Sequence, residues 1–126
     1  MAFPADKLIG DHLLTKTKTA GEDLLGNRFV KVDTTDDTLV YYADAGEAGI
    51  GVNREAVKTG QLANVVLHGT AFVTTSENVA AGDPISADAD GKAQIATATE
   101  QVLGRAFGNA NSGDAVLVVL GVGGIF

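Results

Sequence analysis

Sixteen glycines against only two prolines cut this 126-residue chain into short segments rich in valine, threonine and isoleucine. That rhythm constrains the fold more than any other feature, because β-branched residues suit pleated strands and glycine supplies the sharp turns that join them. No segment carries a long helical stripe of apolar residues. The expected strands are Arg28–Val32, Leu39–Tyr42, Ala63–Thr74, Pro84–Ala87, Lys92–Ala96, Val102–Phe107 and Ala115–Leu120. In the third, Val65, Leu67 and Phe72 mark the apolar positions, and Gly69 sits between them where a bulge or bend would shift the face. The last, AVLVVL, has no polar alternation, which is the pattern of a strand covered on both faces. One short helix is expected over Arg54–Lys58, capped by Asn53 and stopped by Gly60. Tyr41 and Tyr42 are neighbours on a strand, so they point to opposite faces and one of the two belongs to the core.

A phrase recurs ahead of the strands: a small residue and glycine, then an acidic residue, then an apolar one. It appears as Ala20-Gly21-Glu22-Asp23-Leu24, Ala81-Gly82-Asp83-Pro84-Ile85 and Ser112-Gly113-Asp114-Ala115-Val116. Glycine allows a positive φ and aspartate can bond the backbone two residues on, so the phrase launches a strand from a turn. Its irregular spacing argues against a solenoid or propeller. Within the second copy, GDPISADADGKAQIA at residues 82–96 raises the question of a calcium loop. An EF-hand loop starting at Ser86 places Asp88, Asp90 and Gly91 correctly, but position twelve is Thr97 where the bidentate glutamate belongs. Asp90-Gly91 between two alternating flanks is hairpin chemistry, and the stretch reads as a turn.

The chain is long enough to bury one core without staples, and a single domain is expected over residues 21–126. It contains no cysteine, which excludes disulfides, zinc–thiolate sites and thiol nucleophiles. Nine basic and sixteen acidic residues give a net charge of −7, unsuited to tracking nucleic-acid phosphates. Residues 1–20 hold Lys7, Lys16 and Lys18 against Asp6 and Asp11, so a near-neutral arm precedes an acidic body. The longest mostly apolar run, at residues 115–126, is far shorter than the roughly 20 residues a membrane helix needs, and no continuous apolar stretch marks a signal peptide. A soluble, unexported protein without membrane or nucleic-acid partners is the expectation.

No Walker loop, HExxH or GxSxG pattern is present. Gly49-Ile50-Gly51-Val52-Asn53-Arg54 starts like a dinucleotide fingerprint but lacks its third glycine, and reads as a loop. His12 and His68 each stand alone, His68 as a structural or exposed residue. Asp36-Asp37 offers a carboxyl pair, yet DTTDDT between FVKV and LVYY reads as a solvated hairpin loop. The segment Ala20–Leu24 is similar to the first motif of trimeric dUTPases, and GVGGIF at the end to their glycine-rich tail. Their Arg-Ser-Ser phosphate motif is absent, since Gly104-Arg105 continues as Ala106-Phe107. No catalytic, cofactor or metal site is assigned.

Three blocks carry a broader likeness: GVNREAVKTGQLANVVLHGTAFV, then ENVAAGDPISADADGKAQIA, then VLGRAFGNANSGDAVLVVLG. The portion from about Gly49 to Gly121 resembles the small capsid decoration, or cement, proteins of tailed bacteriophages. The resemblance implies an all-β protein, a small β-barrel or β-sandwich (β-tulip-like) with one short helix and an extended N-terminal arm over residues 1–20. It implies a homotrimer on the outer surface of the virion, made in the host cytoplasm. There it would cement neighbouring major capsid subunits against the pressure of packaged DNA, without enzymatic activity or cofactor.

In the arm, Phe3, Pro4, Leu8, Ile9, Leu13 and Leu14 supply apolar anchors, and Lys7, Lys16 and Lys18 can meet an acidic shell. Such a segment can add a strand to a neighbour's sheet edge or lie along a groove; the competing reading is a frayed or self-packed terminus. Ile125 and Phe126 can close the barrel's own end or pack within the trimer, or insert into a partner. A surface-displayed carbohydrate-binding β module is the alternative function, disfavoured by the absence of tryptophan and the presence of just two tyrosines; a dUTPase-like hydrolase is the third.

Overall fold

The structure, a computed structural model, describes residues 14–44, 49–97 and 99–125, with side chains as far as residue 120. Its nine strands are β1 (Leu14–Ala20), β2 (Arg28–Val32), β3 (Leu39–Tyr42), β4 (Gly51–Asn53), β5 (Leu62–Thr74), β6 (Pro84–Ala87), β7 (Ala93–Ile95), β8 (Gln101–Ala106) and β9 (Ala115–Ile125). The described residues are all β, in the order β1-β3-β2-β4-β5-β9-β8-β6-β7, and β1 also pairs with β5. The first five strands therefore close into a ring, while β5 continues into a second sheet.

Thirteen residues long, β5 belongs to both halves. Its first part, to His68, pairs with β1 and β4; from Gly69 onward it pairs with β9. The change of partner falls on Gly69, whose φ of +108° is open to glycine and strained for other residues. The bend expected there is thus present. At the far edge of the second sheet, Ala93 of β7 bridges back to Thr75 just past β5, and Ser76 N–H donates to the Ala93 carbonyl at 2.9 Å. The second half is nearly closed as well.

Two cores result. One fills the ring with Ala20, Leu24, Val30, Val40, Ala63 and Val65. The larger lies between the halves and includes Phe29, Val52, Val66, Val73, Ile85 and Val118. Strand alternation explains the division, since Val30 and Val65 face one core while their neighbours Phe29 and Val66 face the other. Consequently β4, short as it is, is buried at all three positions. Each fully buried valine or phenylalanine contributes about 1.5–3 kcal/mol through burial.

Several expectations are corrected. Arg54–Lys58 is not a helix. Val57 bridges Leu24 instead, with reciprocal backbone bonds of 2.9 Å, and five residues are too few to outweigh that tertiary pairing. Asn53 does not cap a helix; it sits fully buried in β4 and its amide donates to the carbonyls of Leu25 and Glu55 at 3.1 and 2.8 Å. Gly51–Asn53, read as part of a loop, forms β4 itself. Phe72 faces outward, and Ala71 and Val73 take the inward positions after the bend. The 82–96 hairpin is as expected: Asp88 Oδ1 accepts from the N–H groups of Asp90 and Lys92, both at 2.8 Å, and so shapes the turn. The turn is then docked on the ring, because Phe29 N–H donates to the Gly91 carbonyl at 2.7 Å.

Candidate attachment surface

Along a strand in an antiparallel pair, successive residues send their backbone groups to opposite edges. Ala20 N–H donates to the Gln61 carbonyl on the β5 side at 2.8 Å, and Thr19 N–H donates to the Thr38 carbonyl on the other side at 3.1 Å. By the same alternation Lys16 and Lys18 bond β5, while Thr15 and Thr17 face the opposite edge. There β3 pairs with β1 only at Thr19 and Ala20. Among the described residues, Thr15 and Thr17 therefore offer backbone donors and acceptors along an edge that no strand occupies.

The side chains of β1 give that edge its character. Lys16 and Lys18 stand opposite Val65 and Ala63, on the face that continues the ring core, where β1 and β3 part. Lys18 Nζ donates to the Asp37 carbonyl in the β2–β3 loop. Leu14 lies opposite His68 and is 56 % exposed; His68 is exposed too. The structure thus brings Leu14, Lys16 and Lys18 together on one strand. Ile125 ends β9 opposite Gln101, away from β1 in the pairing scheme. Phe3, Pro4, Lys7, Leu8, Ile9, Leu13 and Phe126 lie outside the described residues.

A second surface was missed in the sequence. Phe72 of β5 is directly opposite Leu117 of β9, and Phe107 N–H donates to the Leu117 carbonyl at 2.7 Å, so the three side chains form a row across adjacent strands. Beside it Thr70, Val119 and Arg105 form a parallel row on the same face. Phe72 and Phe107 are 56 % and 68 % exposed. Next to Phe72 runs an open groove of about 570 Å³, lined also by Asn27, Arg54, Glu55 and Asn64. The signal available beforehand was the unalternating AVLVVL of β9, whose outward Leu117 and Val119 are only half-buried by their neighbours.

The carboxylates that invited chemical readings are engaged as backbone caps. Glu22 Oε2 accepts from Tyr42 N–H at 3.0 Å. Asp23 Oδ1 accepts from the Thr59 N–H and hydroxyl at 2.8 and 2.9 Å, which holds its carboxyl below the ordinary range. Asp36 Oδ1 accepts from the hydroxyl and N–H of Thr38 at 2.6 and 3.0 Å and is lowered for the same reason. Glu100 is lowered chiefly by the Thr97 N–H bond, while Ser86 also donates to it at 3.1 Å. The two tyrosines divide as alternation requires: Tyr42 packs on the ring core with its hydroxyl accepting from Leu25 N–H at 2.7 Å, and the Tyr41 ring lies over Gly21. No group of three or more His, Asp or Glu side chains placed to hold a metal ion occurs among the described residues, and no helix there is long and apolar enough to cross a membrane.

Fold and surface together define an all-β module whose distinctive features are an open strand edge and an apolar outer face. A family model described as phage cement protein matches residues 9–121, and the chain belongs to that family. It is a structural protein of the phage head. The match extends the resemblance seen from Gly49 to Gly121 upstream across β1, β2 and β3. Among solved structures, the crystal structure of the head fiber gp8.5 N base in bacteriophage phi29 has the same fold, with a TM-score of 0.73 and 21 % identity over 87 % of this chain and 95 % of that one. No curated protein sequence matches the chain.

Proposed function

We propose that this protein decorates the outer surface of a phage head as a homotrimer and cements neighbouring major capsid subunits, stabilising the shell against internal DNA pressure. The family match over residues 9–121 carries the reading, because it takes in every strand up to Leu120 and so concerns the whole fold. Its action is mechanical, without enzymatic turnover, cofactor or metal.

The open edge of β1 supports a route for the contact. An extended segment of a capsid subunit pairs with the free backbone groups of Thr15 and Thr17, and Lys16 and Lys18 meet carboxylates beside it. In this reading residues 1–20 act as an arm whose last part, β1, is paired into the ring of the β domain. Phe3, Pro4, Lys7, Leu8, Ile9, Leu13 and Leu14 extend the contact, and Ile125 and Phe126 pack between copies. Three identical attachments act at high effective concentration once the first forms, so modest single contacts give long residence.

The test compares heads of the parent phage purified with and without this protein. Heads lacking it should release DNA at a lower temperature and regain stability when the purified protein is added back. Equal release temperatures in all three preparations would end the cementing reading, and a monomeric mass in analytical ultracentrifugation would remove its trimeric form.

A further inference from the structure

We infer that the outer face of the second sheet is an additional docking site for the head shell, with Phe72, Leu117 and Phe107 as its apolar centre and Arg54 and Arg105 as its charged flanks. The inference rests on the decoration reading and adds a surface separate from the arm and tail. Four observations point to it.

An antiparallel sheet with one solvated face ordinarily alternates apolar and polar along each strand. β9 does not: Val116, Val118 and Leu120 enter the core, and Leu117 and Val119 face outward with no layer of the described chain over them. A strand composed for two covered faces thus has one left uncovered. The apolar residues are also contiguous, because Phe72 stands opposite Leu117 and Phe107, immediately after β8, donates its N–H to the Leu117 carbonyl. Scattered exposed side chains carry no such meaning; a row does.

Size then argues against a second copy as the occupant. Aromatic side chains expose about 150–250 Å² in full, so the two half-exposed rings present on the order of 100 Å² each. A free-standing stable interface needs roughly 800 Å² per partner. The patch has the dimensions of a single hot spot, useful where several contacts are made to one array.

Charge names the partner's chemistry. On a protein of net charge −7, this face is flanked by Arg54 and Arg105, with Glu55 next to Arg54 in the same groove, and neither arginine is in an ion pair among the described residues. The fitting partner is an apolar depression or ridge on the head shell rimmed by carboxylates, which would desolvate the rings and pair the arginines.

The experiment adds wild-type, Phe72→Ser/Phe107→Ser and Arg54→Glu/Arg105→Glu proteins to heads of the parent phage that lack this protein, and measures bound copies by sedimentation across protein concentration. Both double variants should bind at least tenfold more weakly, with melting temperature and oligomeric mass unchanged, and wild-type binding should weaken with added salt. Wild-type-like binding by both variants would overturn this site while leaving the decoration reading intact. A reduced oligomeric mass for the phenylalanine variant would overturn it in favour of a second copy, and a lowered melting temperature at unchanged mass in favour of coverage by the chain's own remaining residues. Absence of wild-type binding would sink the decoration reading itself.

Discussion

Two rows of three apolar side chains each cross three adjacent strands, and they meet opposite fates. Phe29, Val52 and Val66 are in register on β2, β4 and β5, and none is exposed at all. Phe72 and Leu117 are in register on β5 and β9, Phe107 bonds to Leu117 immediately after β8, and the second sheet leaves the two phenylalanines exposed and Leu117 half-buried. Each row joins phenylalanine to aliphatic residues and each uses β5. The difference is what faces them: the first row is roofed by the other half of the molecule, including Ile85, Ala87 and Val118, whereas nothing in the described chain covers the second. Composition alone therefore does not separate core from attachment surface in this fold. The connection at Gly69 does, because it swings one half of β5 under the second sheet and leaves the other half's outer face free.

The strongest way to break that contrast is to truncate one phenylalanine from each row. Phe29→Ala should cost about 3–5 kcal/mol in denaturant unfolding, since it removes transfer energy and leaves a cavity between the two halves. Phe72→Ala should change the same measurement by less than about 0.5 kcal/mol, because its surroundings are solvent. Comparable losses from the two would mean that the outer row is structural.

A milder test applies the contrast to backbone edges. Lys16 directs its N–H to β5 and Thr17 directs its own to the open edge, so proline at the two positions asks different things of the fold. Lys16→Pro should destabilise by about 1–3 kcal/mol, the cost of an orphaned partner carbonyl on β5. Thr17→Pro should cost clearly less, yet should weaken head binding if a partner strand uses that edge. Equal destabilisation would refute the alternation assigned to β1.

Much of this was legible in the sequence where the determinant is local. Seven strands, the Asp90-Gly91 hairpin and the bend at Gly69 follow from turn chemistry and β-branched runs, and the structure has them. What failed depended on contacts distant in sequence. Residues 54–58 suit a helix locally, but Leu24 claims Val57 as a strand partner from thirty-three residues away. β1, sequence LTKTKTA, has no apolar alternation, since it relies on β5 for its position and keeps lysines at the mouth of the ring. Phe72 reads as one more apolar position of its strand, and the bend at Gly69 can be located in the sequence without its consequence for phase. For the attachment surface, the two-sided character of AVLVVL was readable, but strand register was needed to place Phe72 and Phe107 beside it.

The smallest expected effect concerns acid, and it compares the loops of the two halves. Asp23 and Asp36 cap turns on the ring, while Glu100 ties Thr97 and Ser86 beside the second sheet. All three have folded pKa values below the ordinary 3.8 for aspartate and 4.5 for glutamate, through hydrogen bonds to their ionised forms. A depressed carboxylate contributes stability that is complete above its unfolded pKa and disappears as pH falls through the folded one. The melting temperature should accordingly hold steady from pH 7 to about 5 and decline below that. Because these groups are well solvated, the decline should be shallow. Glu100→Gln should lower the plateau slightly and flatten the descent, as the amide keeps an acceptor for Thr97 but has no charge to lose. Asp23→Asn should do the same through Thr59. If only one of the two variants flattened the curve, acid loosening would begin in the half whose variant had the effect, and the two halves would differ in stability as well as in exposure. If neither did, these hydrogen bonds would form with equal strength in both charge states, contrary to the depressed values.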